Sequence, residues 1–348
     1  MKQVRIGIIG LGFMGTTHFR IYRANKKCVV AAISDVDIKK RKGDISAVVG
    51  NIGNDDNSKP LDFKGVKVYE DAMDLIADPE IDMVDICVPT AYHTKYVVAA
   101  LKAGKHVFCE KPLCRKPEEL KAIAAAAKNA KTFINCGLCV RAWPEYRHAW
   151  EYYKSGKAGK MLSATFKRIS PGVKGNSWQD WYMNGLLSGG ALLDLHVHDI
   201  DEVNYFFGMP KKVTSFGANI TSKGAIDHVI SVYDYGTGQL VTTEGGWEQS
   251  SGATFEMSFN IVCEKATIKL DQNGYAIYPV KGKMIKPKLD VKAGPTGWHQ
   301  ELAYFVDSIL KGKKPDKYQT LESVIDSMKI AFAEMKSVSQ KKAVKIEK

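Results

Sequence analysis

Three short stretches hold side chains that could do chemistry. Residues 194–199 read Asp-Leu-His-Val-His-Asp, residues 110–112 read Glu-Lys-Pro, and glycines stand at Gly10, Gly12 and Gly15. Histidines and aspartates packed this closely could ligate a metal or relay a proton. A tetrahedral metal site needs more ligands than one helical pair supplies, and no second His/Asp/Cys pair at ligand spacing stands out. A carboxylate one turn from an imidazole can instead orient it and stabilise its charge, which makes a general base near neutral pH. A third reading, a satisfied core or surface histidine, stays open from these residues alone.

Periodicity sorts this stretch. Leu193, Val197, Ile200, Val203 and Phe207 recur at spacings of three and four, the apolar stripe of a helix. On one continuous helix Asp194 and His198 share a face. His196 stands roughly 200° away from His198 and points elsewhere. No metal is expected there.

The glycines come with a context. "VRIGIIG" reads as a buried parallel strand, and "TTHFRIYRANKK" after Gly15 reads as a helix. Gly10 allows the tight turn, Gly12 lets backbone approach a pyrophosphate, and Gly15 lets helix and strand pack closely. The helix N-terminus then offers unpaired N–H groups to phosphates. Asp35 closes the next strand, "VVAAISD", where a carboxylate bonds ribose hydroxyls and repels a 2′-phosphate. That favours NAD, while Lys39, Lys40 and Arg41 just behind it soften the preference and leave NADP open.

These groups need elements to hold them. Through residue 137, strands alternate with helices, the pattern of a doubly wound parallel sheet. Ligands of such sheets sit beyond the strand ends, which here are Gly10, Asp35, Pro89-Thr90, Glu110-Lys111 and Asn135. Lys111 is the strongest chemical candidate, since a lysine closing an apolar strand is partly desolvated. From about 160, alternating strands separated by turn residues predict a largely antiparallel sheet with one open face. Helices expected to flank it begin near 188 and span 299–312, and a last helix follows. The expected domains are 1–137, a Rossmann domain, and 138–348, an α+β substrate and oligomer domain.

Composition sets the remaining limits. The chain has 348 residues, 45% hydrophobic and 25% charged, ordinary for a globular protein. The opening apolar run is broken by glycines and lacks a cleavage site, so no secretory leader is expected. No stretch approaches the ~20 apolar residues of a membrane span. Seven cysteines, an odd number, fit free thiols in a cytoplasmic protein, and the single C-x-x-C at Cys136 and Cys139 reads as coincidence. The net charge is +12, but no basic stripe interleaved with aromatics suggests nucleic acid.

The Gly10-x-Gly12-x-x-Gly15 turn with His18, "AGKHVFCEKPL" (103–113) and "SGGALLDLHVHDID" (188–201) together resemble the Gfo/Idh/MocA family, relatives of glucose–fructose oxidoreductase and inositol dehydrogenase. The likeness runs over almost the whole chain. It implies an NAD(P)-dependent dehydrogenase or reductase acting on a sugar, inositol or related polyol, and a homodimer or homotetramer joined through the second sheet. Lys111, Asp194 and His198 look like the catalytic set. Cofactor contacts are expected from Gly10, Gly12, Phe13, Met14, Gly15, Asp35, Pro89, Thr90, His93, Glu110, Lys111 and Arg141. Substrate contacts are expected from Asn135, Trp181 and His299. The loop at 50–65 is longer than the family pattern, and the tail lacks the glycine that often precedes its last strand. Two further readings stay open: a glycoside hydrolase or lyase that recycles its NAD, and a non-catalytic regulator that senses a dinucleotide.

Overall fold

A computed structural model describes residues 3–50, 59–175 and 177–347. Of the long 50–65 loop, residues 51–58 lie outside the described residues. The first elements are β1 (Val4–Ile9), α1 (Phe13–Ala24), β2 (Cys28–Ser34), α2 (Ile38–Arg41), β3 (Lys67–Tyr69), α3 (Ala72–Ala77), β4 (Met83–Ile86), α4 (His93–Lys102), β5 (His106–Cys109), α5 (Pro117–Asn129) and β6 (Ile134–Cys136). After them come α6 (Pro144–Lys154), β7 (Met161–Pro171), α7 (Gly185–Ser188), α8 (Gly190–Asp194), α9 (Val197–Phe207), β8 (Lys212–Ala218), β9 (His228–Asp234) and β10 (Leu240–Gln249). The chain ends with β11 (Glu256–Cys263), β12 (Ala266–Asp271), β13 (Gly274–Pro279), α10 (Gly297–Lys311), α11 (Leu321–Gln340) and β14 (Val344–Lys345).

The chain forms two compact units. The first holds 1–137, 174–181 and 298–321; the second holds 138–173, 182–297 and 322–348.

In the first unit six parallel strands run in the order β3-β2-β1-β4-β5-β6. The order reverses between β1 and β4, so the crevice outside their carboxyl ends is the switch point where such sheets take ligands. The central strands β1, β2 and β4 are buried on both faces, as their unbroken apolar runs require, while the edge strand β3 is largely exposed. The 299–312 helix, expected beside the second sheet, belongs here as most of α10. Leu302, Phe305 and Val306 are fully buried with Ile6, Ile8, Tyr22 and Phe108. Periodicity marks an apolar face on a helix but not which sheet that face covers.

In the second unit eight strands run β13-β12-β11-β7-β10-β9-β8-β14, with β7 and β10 parallel and the other neighbours antiparallel. One face alternates inward and is covered by α9 and α11; the other is open. On that open face Phe216 pairs with Ile230, Ile230 with Glu244, and Val232 with Thr242. Two strands, β8 and β13, and the helix α6 had no counterpart in the sequence reading. No helix among the described residues is long and apolar enough to cross a membrane.

Candidate active site

In the first unit the turn after β1 is built by its glycines. Gly10 takes φ +91°, a left-handed conformation that L side chains resist. A Cβ at Gly15 would fall 1.9 Å from the Gly10 carbonyl oxygen, so helix and strand could not otherwise pack this closely. Gly12 faces open space. The α1 helix starting beside it has no side-chain cap and no acidic residue in its first turn, so its amide donors suit an anion. Asp35 accepts from Leu11 N at 2.7 Å and from Asp37 N at 2.8 Å, which fastens the end of β2 to the glycine turn. These groups fit the pyrophosphate and ribose of NAD. Lys40 reaches Asp35 at 3.8 Å. Arg41 is committed to the Asp35 and Val36 carbonyls and to Glu70.

The next strand ends meet the same turn. Thr90 is buried just past β4, and Pro89 is half-buried beside it. His93 is buried with its ring nitrogens 2.8 Å from Pro112 O and 2.9 Å from Val88 O. Burial holds its pKa below the ordinary histidine value. The ring thus joins the segment after β4 to the one after β5. There Glu110 is buried and Lys111 half-buried, and the Lys111–Pro112 peptide is cis. Asn135 lies buried within β6. Phe13 meets Trp298 edge-on at 6.3 Å, while Met14 and His299 are half-buried. Trp181 is half-buried behind Gln179 and Asp180, both in left-handed backbone. His18 on α1 lies between Asp85 and Glu110, and Cys87 stands beside it. Among the described residues, His18, Asp85 and Cys87 are the one group of metal-ligating side chains close enough to hold an ion; Asp194 and His198 are not among them.

In the second unit the helix expected through 193–207 is interrupted. α8 ends at Asp194 and α9 begins at Val197, with Leu195 N and His196 N both donating to Ala191 O. This widened turn falls between Asp194 and His198, so their relation is not the simple i, i+4 repeat of an unbroken helix. Nor is α9 an amphipathic surface helix. Of residues 190–203 all are buried except His198. The apolar stripe ends on Phe206, fully buried, rather than on Phe207.

Buried ion pairs pin α9. Arg168 on β7 donates to Asp199 at 2.9 and 3.3 Å. Arg141 donates through Nε and Nη2 to Asp201, both at 2.6 Å, and through Nη1 to Ser323 at 3.1 Å. Ser327 of α11 also donates to Asp201, at 2.6 Å. His196 turns the other way, with Nε2 3.1 Å from Thr243 Oγ1 and 3.3 Å from Glu334. Tyr233 donates to the same Glu334 carboxylate. The two histidines therefore have separate surroundings: His196 is tied beneath the sheet, and His198 alone opens outward.

Residues 4–137 match the oxidoreductase family with an NAD-binding Rossmann fold, and residues 146–269 match the GFO/IDH/MocA C-terminal domain. The chain belongs to the GFO/IDH/MocA family. It is similar to the myo-inositol 2-dehydrogenase of Thermotoga maritima, 26% identical over 99% of both chains. It is also similar to the levoglucosan dehydrogenase of Pseudarthrobacter phenanthrenivorans, 30% identical over 60% of this chain and 52% of that one. Among solved structures, a levoglucosan dehydrogenase in complex with NADH and levoglucosan has the same fold, with TM-score 0.85 at 21% identity over 100% of both chains. A myo-inositol 2-dehydrogenase from Lactobacillus plantarum gives 0.80 at 24% over 99% of this chain and 100% of that one.

Lys111 stands just past a strand end of the first unit, while in the second Asp194 closes α8 and His198 lies on α9. Two features escaped the sequence reading. The Arg–Asp pairs that hold α9 join partners far apart in sequence, which no local pattern can reveal. The His18–Asp85–Glu110 cluster left one trace, an aspartate inside the apolar strand "MVDI": a buried acid there requires a partner.

Proposed function

We propose that this protein oxidises a secondary hydroxyl of a cyclic polyol or sugar, with Lys111, Asp194 and His198 as its catalytic set. NAD, when bound, supplies the hydride acceptor. His198 takes the hydroxyl proton, and Asp194 steadies the imidazole as it gains charge. Lys111 hydrogen-bonds the oxygen as negative charge develops there. Reduction of the ketone uses the same groups in reverse. What most supports this reading is the opening of His198 alone within an otherwise buried run. The substrate class rests on relatives that are named inositol and levoglucosan dehydrogenases. We place the protein in the cytoplasm, where its free thiols stay reduced, and assign it a homo-oligomer built on the open face of the second sheet.

The test is turnover on a panel of inositols, aldoses, anhydrosugars and glycosides with NAD, following both NADH and products. One substrate should yield NADH in step with its ketone. Lys111→Ala and His198→Ala should each lose about a hundred- to ten-thousand-fold in kcat. Full turnover in either variant would refute its assigned role, and product released without net NADH would point to cofactor recycling.

A further inference from the structure

We propose that His18 is a positioning residue: its ring, held between Asp85 and Glu110, couples the helix of the dinucleotide turn to the strand end that carries Lys111. The inference rests on the role given to Lys111 above. His18 is fully buried on α1, three residues past Gly15. Its Nδ1 lies 2.9 Å from Asp85 Oδ2, on β4. Its Nε2 lies 3.3 Å from Glu110 Oε1, just past β5. One ring on α1 therefore touches both β4 and the segment just past β5.

The Glu110 seat is built for this contact. Its other oxygen, Oε2, accepts from the Lys111 backbone N–H at 3.1 Å. A Cβ at residue 137 would stand 2.7 Å from Glu110 Oε1, so Gly137 leaves room for the carboxylate. The chain of contacts runs from Asp85 through His18 and Glu110 to the peptide nitrogen of Lys111. It fixes the backbone from which the Lys111 side chain springs.

The ring faces carboxylates at both nitrogens: Nδ1 is hydrogen-bonded to Asp85, and Nε2 meets Glu110 Oε1 at ion-pair distance without hydrogen-bond geometry, surroundings that favour the doubly protonated imidazole. Cys87 Sγ lies 3.5 Å from Nδ1 and donates to the second Asp85 oxygen at 3.4 Å. Tyr22 and Phe108 meet the ring edge-on. These are the groups around the ring: two carboxylates, a thiol, a phenol and an apolar ring. Burial by itself would lower the pKa of His18, but Asp85 and, after it, Cys87 overcome this and raise it well above the ordinary histidine value. Burial pushes the Cys87 thiol up, so it stays protonated. Removing the imidazolium would leave Glu110 buried without its cation, a costly state that the carboxylate would escape by rotating away from Lys111.

Two measurements decide. The first is the imidazole nitrogen shift of His18 in the intact protein, assigned by comparison with His18→Gln. Near neutral pH the shifts should carry the signature of a doubly protonated ring. A neutral ring at that pH, or a stoichiometric metal ion removed by chelator with a change in those shifts, overturns the bridge. The second is kinetic. His18→Gln should lower kcat about tenfold or more with substrate KM little changed. Adding Glu110→Gln, which pairs amide with amide, should recover part of that loss. Additive losses in the double variant overturn the coupling. Should Lys111→Ala keep full turnover, the role of Lys111 fails on its own, while the nitrogen shifts still report on the bridge.

Discussion

Glu202 shows at the scale of one residue how burial sets chemistry. It is fully buried on α9, with neither carboxyl oxygen hydrogen-bonded. Burial pushes its pKa well above the ordinary glutamate value; Asp201 adds to this and Arg141 opposes it. The folded protein therefore keeps a proton that the unfolded chain releases above about pH 4.3. Stability from this proton is fully present below the unfolded pKa and is lost as pH rises toward the folded one. Glu202→Gln keeps the shape without the proton, so its gain in Tm over the parent should be larger at about pH 8 than at about pH 5. Equal gains in melts at the two pH values would mean that Glu202 is ionised in the fold. Its neighbours Asp199 and Asp201 have hydrogen-bond partners that Glu202 lacks: Arg168 donates to Asp199 and Arg141 to Asp201. All three acids stand within four positions of one helix. Their sequence looked uniform, and only long-range partners distinguish them.

Elements were easier to read than their placement. The glycine turn, β1, β2 and Asp35 are local features: a strand, a left-handed residue, an uncapped helix start and an acid at fixed spacing. All of them were legible from the chain. So was α10 as a helix, because its period is local, but its location was not. Phe305 is fully buried and packs against Phe108 of β5, ring centroids 5.9 Å apart. Phe305→Ala should therefore destabilise the first unit by about 3–5 kcal/mol. Denaturation followed by NADH binding to that unit would show the loss, and an unchanged midpoint would put the helix elsewhere. The break between α8 and α9 was hidden for a related reason. An extra residue in a helical turn leaves the 3–4 spacing almost intact, so the sequence pattern runs through the break without marking it.

For the whole molecule the open sheet face poses the main question. Phe216 is 71% exposed and Ile230 45% exposed, paired across β8 and β9, with Val232 beside them. Apolar side chains grouped on an uncovered sheet suit a second copy of the same surface. The oligomer proposed on this face predicts that Ile230→Asp lowers the sedimentation coefficient to that of a monomer while NADH affinity stays within about twofold. An unchanged sedimentation coefficient would move the interface off this face.

By itself the sequence determined the class of chemistry. The turn that accepts a dinucleotide, the lysine at a strand end and the Asp194–His198 stretch depend on residue type and short spacing, and short-range sterics enforce them. Tertiary structure decided the surroundings of each group: which histidine opens outward, which acids meet arginines, which sheet α10 covers, and that His18 stands between two carboxylates. Those outcomes depend on burial and on partners far apart along the chain. Desolvation is a property of the packed core, and no local stretch of sequence carries it.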